Sequence, residues 1–300
     1  MKRRNFISNS AIAMAGLSIS PSFYFKKGVK LSFSTLGCPD WSFEKIVEFA
    51  VEHKYQGLEI RGIKRELDLL KCPPFSNTLN IANTVKLMKD KNLSFVDLGS
   101  SAALHHHEPE KRKKNLDDAK RFIDLAAAIG CPHIRVFPND LPKDQDRNQT
   151  IDRIISGLKE LGEYAKGTKV VVLLESHGEV VYTKDLVRIM EGAAHPNVGL
   201  IWDIVNMWSV TQEAPEEVYP KLKKYIRHTH IKDFRSVEKK HLYTLVGEGE
   251  SPVMKAVDIL YKNGYKGYYG FEWEKLWHPE IQEPEVAFSH YSAMMRKHFG

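Results

Sequence analysis

Cysteine is scarce: Cys38, Cys72 and Cys131 are the only three in 300 residues. An odd count at wide spacing excludes a disulfide framework and any Cys-x-x-Cys zinc knuckle. No apolar run reaches the roughly eighteen residues of an ordinary membrane-spanning helix. Neither a Gly-x-Gly-x-x-Gly turn nor a P-loop is present, which counts against an open, doubly wound nucleotide-binding sheet. A basic stripe is missing as well. The net charge is +6, but ten of the 44 cations fall in two places: Lys2 to Arg4 with Lys26, Lys27 and Lys30, and the run Lys111 to Lys114. The second run opens a helix with acidic neighbours, so no nucleic-acid partner is expected. Hydrophobic residues at 42% and charged residues at 27% exclude a disordered or collagen-like chain.

Residues 1–28 read as an export signal. Lys2-Arg3-Arg4-Asn5-Phe6-Ile7 precedes a mildly apolar stretch from Ala11 to Ile19, and the paired arginines resemble a twin-arginine signal, which carries folded proteins across the inner membrane. The expected location is periplasmic. Ala13-Met14-Ala15 and Ser18-Ile19-Ser20 are both compatible with cleavage, and no cysteine lies nearby for lipid attachment.

Residues 29–300 repeat one pattern: a short apolar run, a polar loop, then an amphipathic helix. Strands are predicted at 31–36, 57–60, 94–99, 133–137, 169–175, 198–203, 226–232 and 268–273. Helices with apolar residues at three- and four-residue spacing are predicted at 43–53, 116–129, 151–164 and 253–261. Gly130, Gly167 and Gly264 fall where helix C-terminal caps belong. No linker interrupts the series. This is the length and rhythm of a single α/β domain, a (β/α)₈ TIM barrel, in which active groups sit at the C-terminal ends of strands.

The strand ends carry the right chemistry. The fifth strand ends in Glu175-Ser176-His177, the sixth in Asp203-Ile204-Val205-Asn206, and the eighth in Glu272-Trp273-Glu274, while the seventh carries His228-Thr229-His230-Ile231-Lys232-Asp233. Three carboxylates crowded together raise one another's pKa unless a cation joins them. Three oxygen donors and one nitrogen suit a divalent metal, Mn²⁺ first, with Mg²⁺, Co²⁺ or Zn²⁺ open. His228 and His230 share one strand face, and His230 is the expected ligand because it lies nearer the rim. His177, Asn206, Arg235 and His106 are candidate substrate-binding residues, and Glu59 with Arg61 is a candidate buried pair. The run His105-His106-His107 could supply a further histidine ligand or be simply polar. Trp41, Trp208, Trp273 and Trp277 fall in rim loops. Such rings suit stacking on a sugar, although a tryptophan capping the barrel core would look the same.

The motifs Leu174-Glu175-Ser176-His177, Trp202-Asp203-Ile204-Val205-Asn206, His228 to Asp233 and Gly270-Phe271-Glu272-Trp273-Glu274 resemble the sugar phosphate isomerase/epimerase superfamily. That xylose isomerase-like barrel group includes ketose 3-epimerases, inosose dehydratases, hydroxypyruvate isomerases and endonuclease IV. The similarity covers about residues 31–298, including Phe33 to Gly37, Gly57 to Ile60 and the loop Leu245 to Glu250. It implies a metal held by Glu175, Asp203, His230 and Glu272, with Glu175 and Glu272 also exchanging the substrate proton from opposite faces. Asn206 departs from the pattern, since many relatives carry histidine there. An amide neither shuttles protons at neutral pH nor ligates a metal well, which weakens a trinuclear nuclease reading.

The expected activity is a divalent-metal-dependent sugar isomerase or epimerase working through an enediolate. The alternatives are a lyase acting on 3-keto-glycosides, a non-catalytic sugar-binding barrel and an endonuclease IV-like nuclease. A carbohydrate is the expected small-molecule partner, and aromatic rim loops are compatible with a homo-oligomer.

Overall fold

A computed structural model describes residues 29–238 and 240–300; the expected export signal lies outside them. The chain runs β1 (Lys30–Ser34), α1 (Phe43–Glu52), β2 (Gly57–Ile60), α2 (Thr78–Asp90), β3 (Ser94–Ala103), α3 (Pro109–Ile129), β4 (His133–Phe137), α4 (Arg147–Tyr164), β5 (Val171–Glu175) and α5 (Thr183–Ala193). It continues through β6 (Val198–Asp203), α6 (Ile204–Thr211), α7 (Pro215–Leu222), β7 (Ile226–Ile231), β8 (Asp233–Val237), β9 (Lys240–Thr244), α8 (Val253–Lys262), β10 (Tyr268–Phe271) and α9 (Pro284–Phe299). Eight strands close a parallel barrel in the order β1-β10-β7-β6-β5-β4-β3-β2, and β8 pairs with β9 as a separate antiparallel hairpin. The predicted barrel is therefore the fold.

Alternation along each strand sorts side chains into a polar interior and an apolar exterior covered by helices. On β1, Phe33 stacks on Phe288 of α9 at 4.3 Å. On β10, Phe271 stacks on Tyr291 of the same helix at 4.6 Å. Helix α9 thus seals the seam where the last strand meets the first. Cys38, Cys72 and Cys131 are buried free thiols. Among the described residues no helix is long and apolar enough to cross a membrane.

The boundaries shift where signals other than apolar spacing act. Helix α3 begins at Pro109, before the predicted 116, because proline suits the first helical turn and the turn itself is polar and exposed. Helix α4 begins at Arg147, before the predicted 151, where Asp146 accepts the Gln149 amide as an N-cap. Strand β3 runs on past 99 through Gly99, Ser100 and Ser101, which carry no apolar signature. Gly130 caps α3 with φ 71°, Gly264 directly follows the Asn263 cap of α8, and Gly167 lies beyond the Ala165 cap of α4. The β8–β9 hairpin has no counterpart in the predicted elements. Most of its residues are exposed and polar, with Phe234 buried against Trp208 and His241, so it lacks an apolar alternation.

The α9 seam yields a stability prediction. Phe288→Ala removes the ring on which Phe33 stacks, and urea denaturation is expected to show a loss of about 3–5 kcal/mol.

Candidate metal centre

Strands β5, β6, β7 and β10 bring Glu175, Asp203, His230 and Glu272 to one place at the C-terminal mouth of the barrel, all four buried. The four candidate ligand atoms lie within 4.8 Å of one another. From His230 Nδ1 the distances are 3.3 Å to Glu272 Oε1, 3.4 Å to Glu175 Oε1 and 3.9 Å to Asp203 Oδ2. The predicted ligand set is therefore assembled by the fold.

Each glutamate is tethered by one oxygen. Arg135 on β4 donates to Glu175 Oε2 at 2.7 Å, and Lys232 donates to Glu272 Oε2 at 2.7 Å. The other oxygen, Oε1 in both, faces His230 Nδ1. Lys232 Nζ also lies 2.8 Å from Asp203 Oδ2 and donates to Glu274 Oε1 at 2.7 Å. On the far side of the imidazole, Nε2 lies 2.8 Å from Glu59 Oε2, and the same oxygen lies 3.1 Å from His228 Nε2.

Proton affinities report the crowding. Burial, helped by Glu272 and Glu175, pushes Asp203 up to about 7 despite Lys232. Burial also works against the Glu175 charge, yet Arg135 and His230 hold that carboxyl down at about 2. Glu272 overcomes its burial through His230 and Lys232 and falls well below the usual range. The His230 imidazole is raised well above its ordinary value, the carboxylates of Glu272, Glu59 and Glu175 outweighing burial. Asp97 on β3 is raised by burial and by the nearby Glu59 charge, and neither of its oxygens has a hydrogen-bond partner among the described residues.

The donor set fits a divalent cation. His230 Nδ1 is buried, lacks a hydrogen-bond partner and faces three carboxylates. A proton on this nitrogen and a metal ion beside it are alternative ways to balance the same negative charge. Oxygen donors with a single imidazole favour Mn²⁺, Mg²⁺ or Co²⁺ over thiolate-seeking ions.

Other predicted residues separate from this cluster to different degrees. His177 stands next to it, half-buried, its ring 4.4 Å from Phe137 and its Nδ1 3.0 Å from Asn139 Oδ1. Asn206 is in the first turn of α6, where its backbone N–H donates to the N-cap Asp203 Oδ1 at 2.8 Å. Arg235 lies exposed on β8 and donates to the Glu248 carbonyl at 2.6 Å, and His106 lies over a surface cavity of about 390 Å³ beside Ser101 and Asn115. Neither joins the ligand cluster, and His105 to His107 belong to neither of the two candidate ligand groups among the described residues.

Two expectations are corrected. Trp273 is fully buried, packs 5.6 Å from Phe271 and donates to the Gln282 carbonyl. Strand alternation sends it to the face opposite Glu272, so it presents no ring to a ligand. Glu59 pairs with the two histidines instead of Arg61, whose guanidinium donates to the Gly99 carbonyl and Ser101 Oγ.

Arg135 and Lys232 were not singled out from sequence. Lys232 follows His230 by the strand period of two, and Arg135 is a charge within the apolar run Ile134 to Val136. Those were the available signals.

The family pattern described as xylose isomerase-like TIM barrel matches residues 47–297. The 3-dehydroshikimate dehydratase of Bacillus anthracis is 22% identical over 210 residues, 67% of this chain and 70% of that one. Fructoselysine 3-epimerase of Shigella flexneri is 25% identical over 162 residues, 52% of this chain and 58% of that one. A xylose isomerase-like TIM barrel protein of Mycobacterium smegmatis, solved in complex with magnesium, superposes with a TM-score of 0.68 at 17% identity, covering 90% of this chain and 96% of that one.

Two outcomes test the centre. Mn²⁺ at a hundred times its dissociation constant is expected to stabilise the chain by about 2.7 kcal/mol, read as a rise in Tm that Asp203→Asn abolishes. Arg135→Met strands the buried Glu175 charge, and urea denaturation is expected to show a loss of about 3–5 kcal/mol.

Proposed function

The chain belongs to the xylose isomerase-like TIM barrel family, and we propose that within it the chain is a divalent-metal-dependent sugar isomerase or epimerase acting through an enediolate. The observation that carries this reading is the pair of glutamates fixed by one oxygen each, Glu175 by Arg135 and Glu272 by Lys232, with their second oxygens turned toward one point. Glu175 and Glu272 arrive from β5 and β10, strands separated in the barrel by β6 and β7. That separation suits two carboxylates working on opposite sides of one substrate carbon.

Glu175, Asp203, His230 and Glu272 would hold the cation, Mn²⁺ being the favoured ion. Its contribution when bound is Lewis-acid stabilisation of the negative charge that develops on the carbonyl oxygen. The residues do the proton work. One glutamate accepts the proton α to the carbonyl, and the other delivers a proton to the opposite face, inverting the carbon. Delivery to the neighbouring carbon instead exchanges aldose for ketose. Lys232, fixed among Asp203, Glu272 and Glu274, keeps the Glu272 carboxylate ionised and oriented. His177, beside the centre, is placed to meet a substrate hydroxyl.

Elimination is the second reading. The same α-proton abstraction expels a β-substituent when one is present, and similarity to a protein named a dehydratase favours it. The export expectation for residues 1–28 points to a periplasmic chain, for which free sugars or 3-keto-glycosides suit better than phosphorylated substrates.

Deuterium exchange decides between these. Mn²⁺-loaded protein in D₂O with ketoses, aldoses and 3-keto-glycosides is expected to place deuterium next to the carbonyl. Glu175→Gln or Glu272→Gln should slow this by about 10²–10⁴-fold. An inverted centre, an isomerised sugar or an unsaturated product then identifies the branch. No exchange with any of these substrates by a metal-loaded chain would overturn the enediolate reading.

A further inference from the structure

We propose that Glu59 is a positioning residue for the metal centre, which fixes His230 as the Nε2–H tautomer so that its Nδ1 lone pair faces Glu175, Asp203 and Glu272. The inference rests on the metal-centre reading above. It starts from an arrangement in which one buried carboxylate oxygen serves two imidazoles, with Glu59 Oε2 2.8 Å from His230 Nε2 and 3.1 Å from His228 Nε2. A carboxylate oxygen only accepts, so each nitrogen must carry the hydrogen. His230 then has one nitrogen left for the cation, and that nitrogen is the one without a hydrogen-bond partner.

His228 holds Glu59 in turn. Its ring meets His230 edge to face, with centroids 5.5 Å apart. The ring edge that meets Glu59 also lies against β10: a Cβ at Gly270 would lie 2.7 Å from His228 Cε1, 2.9 Å from its Nε2 and 2.6 Å from the Thr229 carbonyl oxygen. The missing side chain at Gly270 makes the space in which that edge of the ring sits. The chain from Gly270 through His228 and Glu59 to His230 sets the ligand's angle from below the centre. Carboxylate–histidine–metal relays of this type fix the tautomer and ring orientation of a ligand.

Glu59, His228 and His230 are also close enough together to hold a cation themselves. The chemistry disfavours that use, because His230 Nε2 would have to give up its hydrogen while Nδ1 serves the first centre.

The test uses the full chain with Mn²⁺ and Zn²⁺ as probes. Calorimetric titration and ion counting by mass spectrometry are expected to give one Mn²⁺ per wild-type chain, with affinity falling about 10–100-fold in Glu59→Gln. Long-range ¹H–¹⁵N spectra of the Zn²⁺-loaded wild type are expected to show His230 protonated at Nε2, a readout that needs no variant to fold. Unchanged affinity in Glu59→Gln, a proton on Nδ1, or two ions falling to one in the variant would each overturn the positioning role. A wild type that takes up no divalent ion overturns the metal-centre reading itself, and the positioning role with it.

Discussion

Glu59, Asp97, Glu175, Asp203 and Glu272 are all buried inside one barrel, and the mutual repulsion and desolvation of these carboxyl groups constrain everything around them. Arg135 and Lys232 are buried beside them, Arg135 pairing with Glu175 and Lys232 with Asp203, Glu272 and Glu274, while Arg61 adds a third interior cation hydrogen-bonded to the β3 backbone and Ser101. His228 and His230 share Glu59. Burial and the Glu59 charge raise the Asp97 carboxyl, whose oxygens have no hydrogen-bond partner among the described residues. Such a cluster is tolerable only where every charge is answered, and a divalent ion among Glu175, Asp203, Glu272 and His230 would complete that balance.

Barrel closure decides where the charges meet. Parallel strands in the order β10-β7-β6-β5 place four strand ends side by side, and alternation turns one residue of each inward. Beyond β7 the hairpin leans over the mouth, bringing the Tyr243 ring to 5.9 Å from Lys232 Nζ. At its base the buried Asp233 carboxylate accepts the backbone amides of Gly247, Gly249 and Ser251. This anchors the loop Leu245 to Glu250 against the C-terminal end of the barrel. The rim is thus built from the same segment that carries the ligand histidine.

A centre of this kind is general in its chemistry and particular in its surroundings. Abstraction of an α-proton next to a polarised carbonyl leads to inversion, isomerisation or elimination according to what the substrate offers and where the second proton goes. The side chains that stand around the candidate ligands include His177 beside Phe137, Tyr243 over Lys232, and Asn206 in the first turn of α6. Proteins named as an epimerase and as a dehydratase are both similar to this chain.

The recurrence of apolar runs and amphipathic helices determined the barrel, because each strand–helix unit buries one face and the period is local. The four candidate ligands were also readable, since Glu175, Asp203 and Glu272 each stand where an apolar run stops at a strand end and His230 shares the inward face of β7 with His228. Trp273 shows what local reading left open: its rim position suggested a sugar platform, and only its full burial beside Phe271 showed that its face is used by the core. Arg135 and Lys232 look like ordinary basic residues until closure sets them 2.7 Å from Glu175 and Glu272. The pairing of Glu59 with His228 and His230, 169 and 171 residues further along the chain, depends on β2 and β7 facing each other across the interior. Sequence spacing encodes which face of its own strand a side chain occupies, whereas its partner across the barrel is set by closure and register, which no single segment contains.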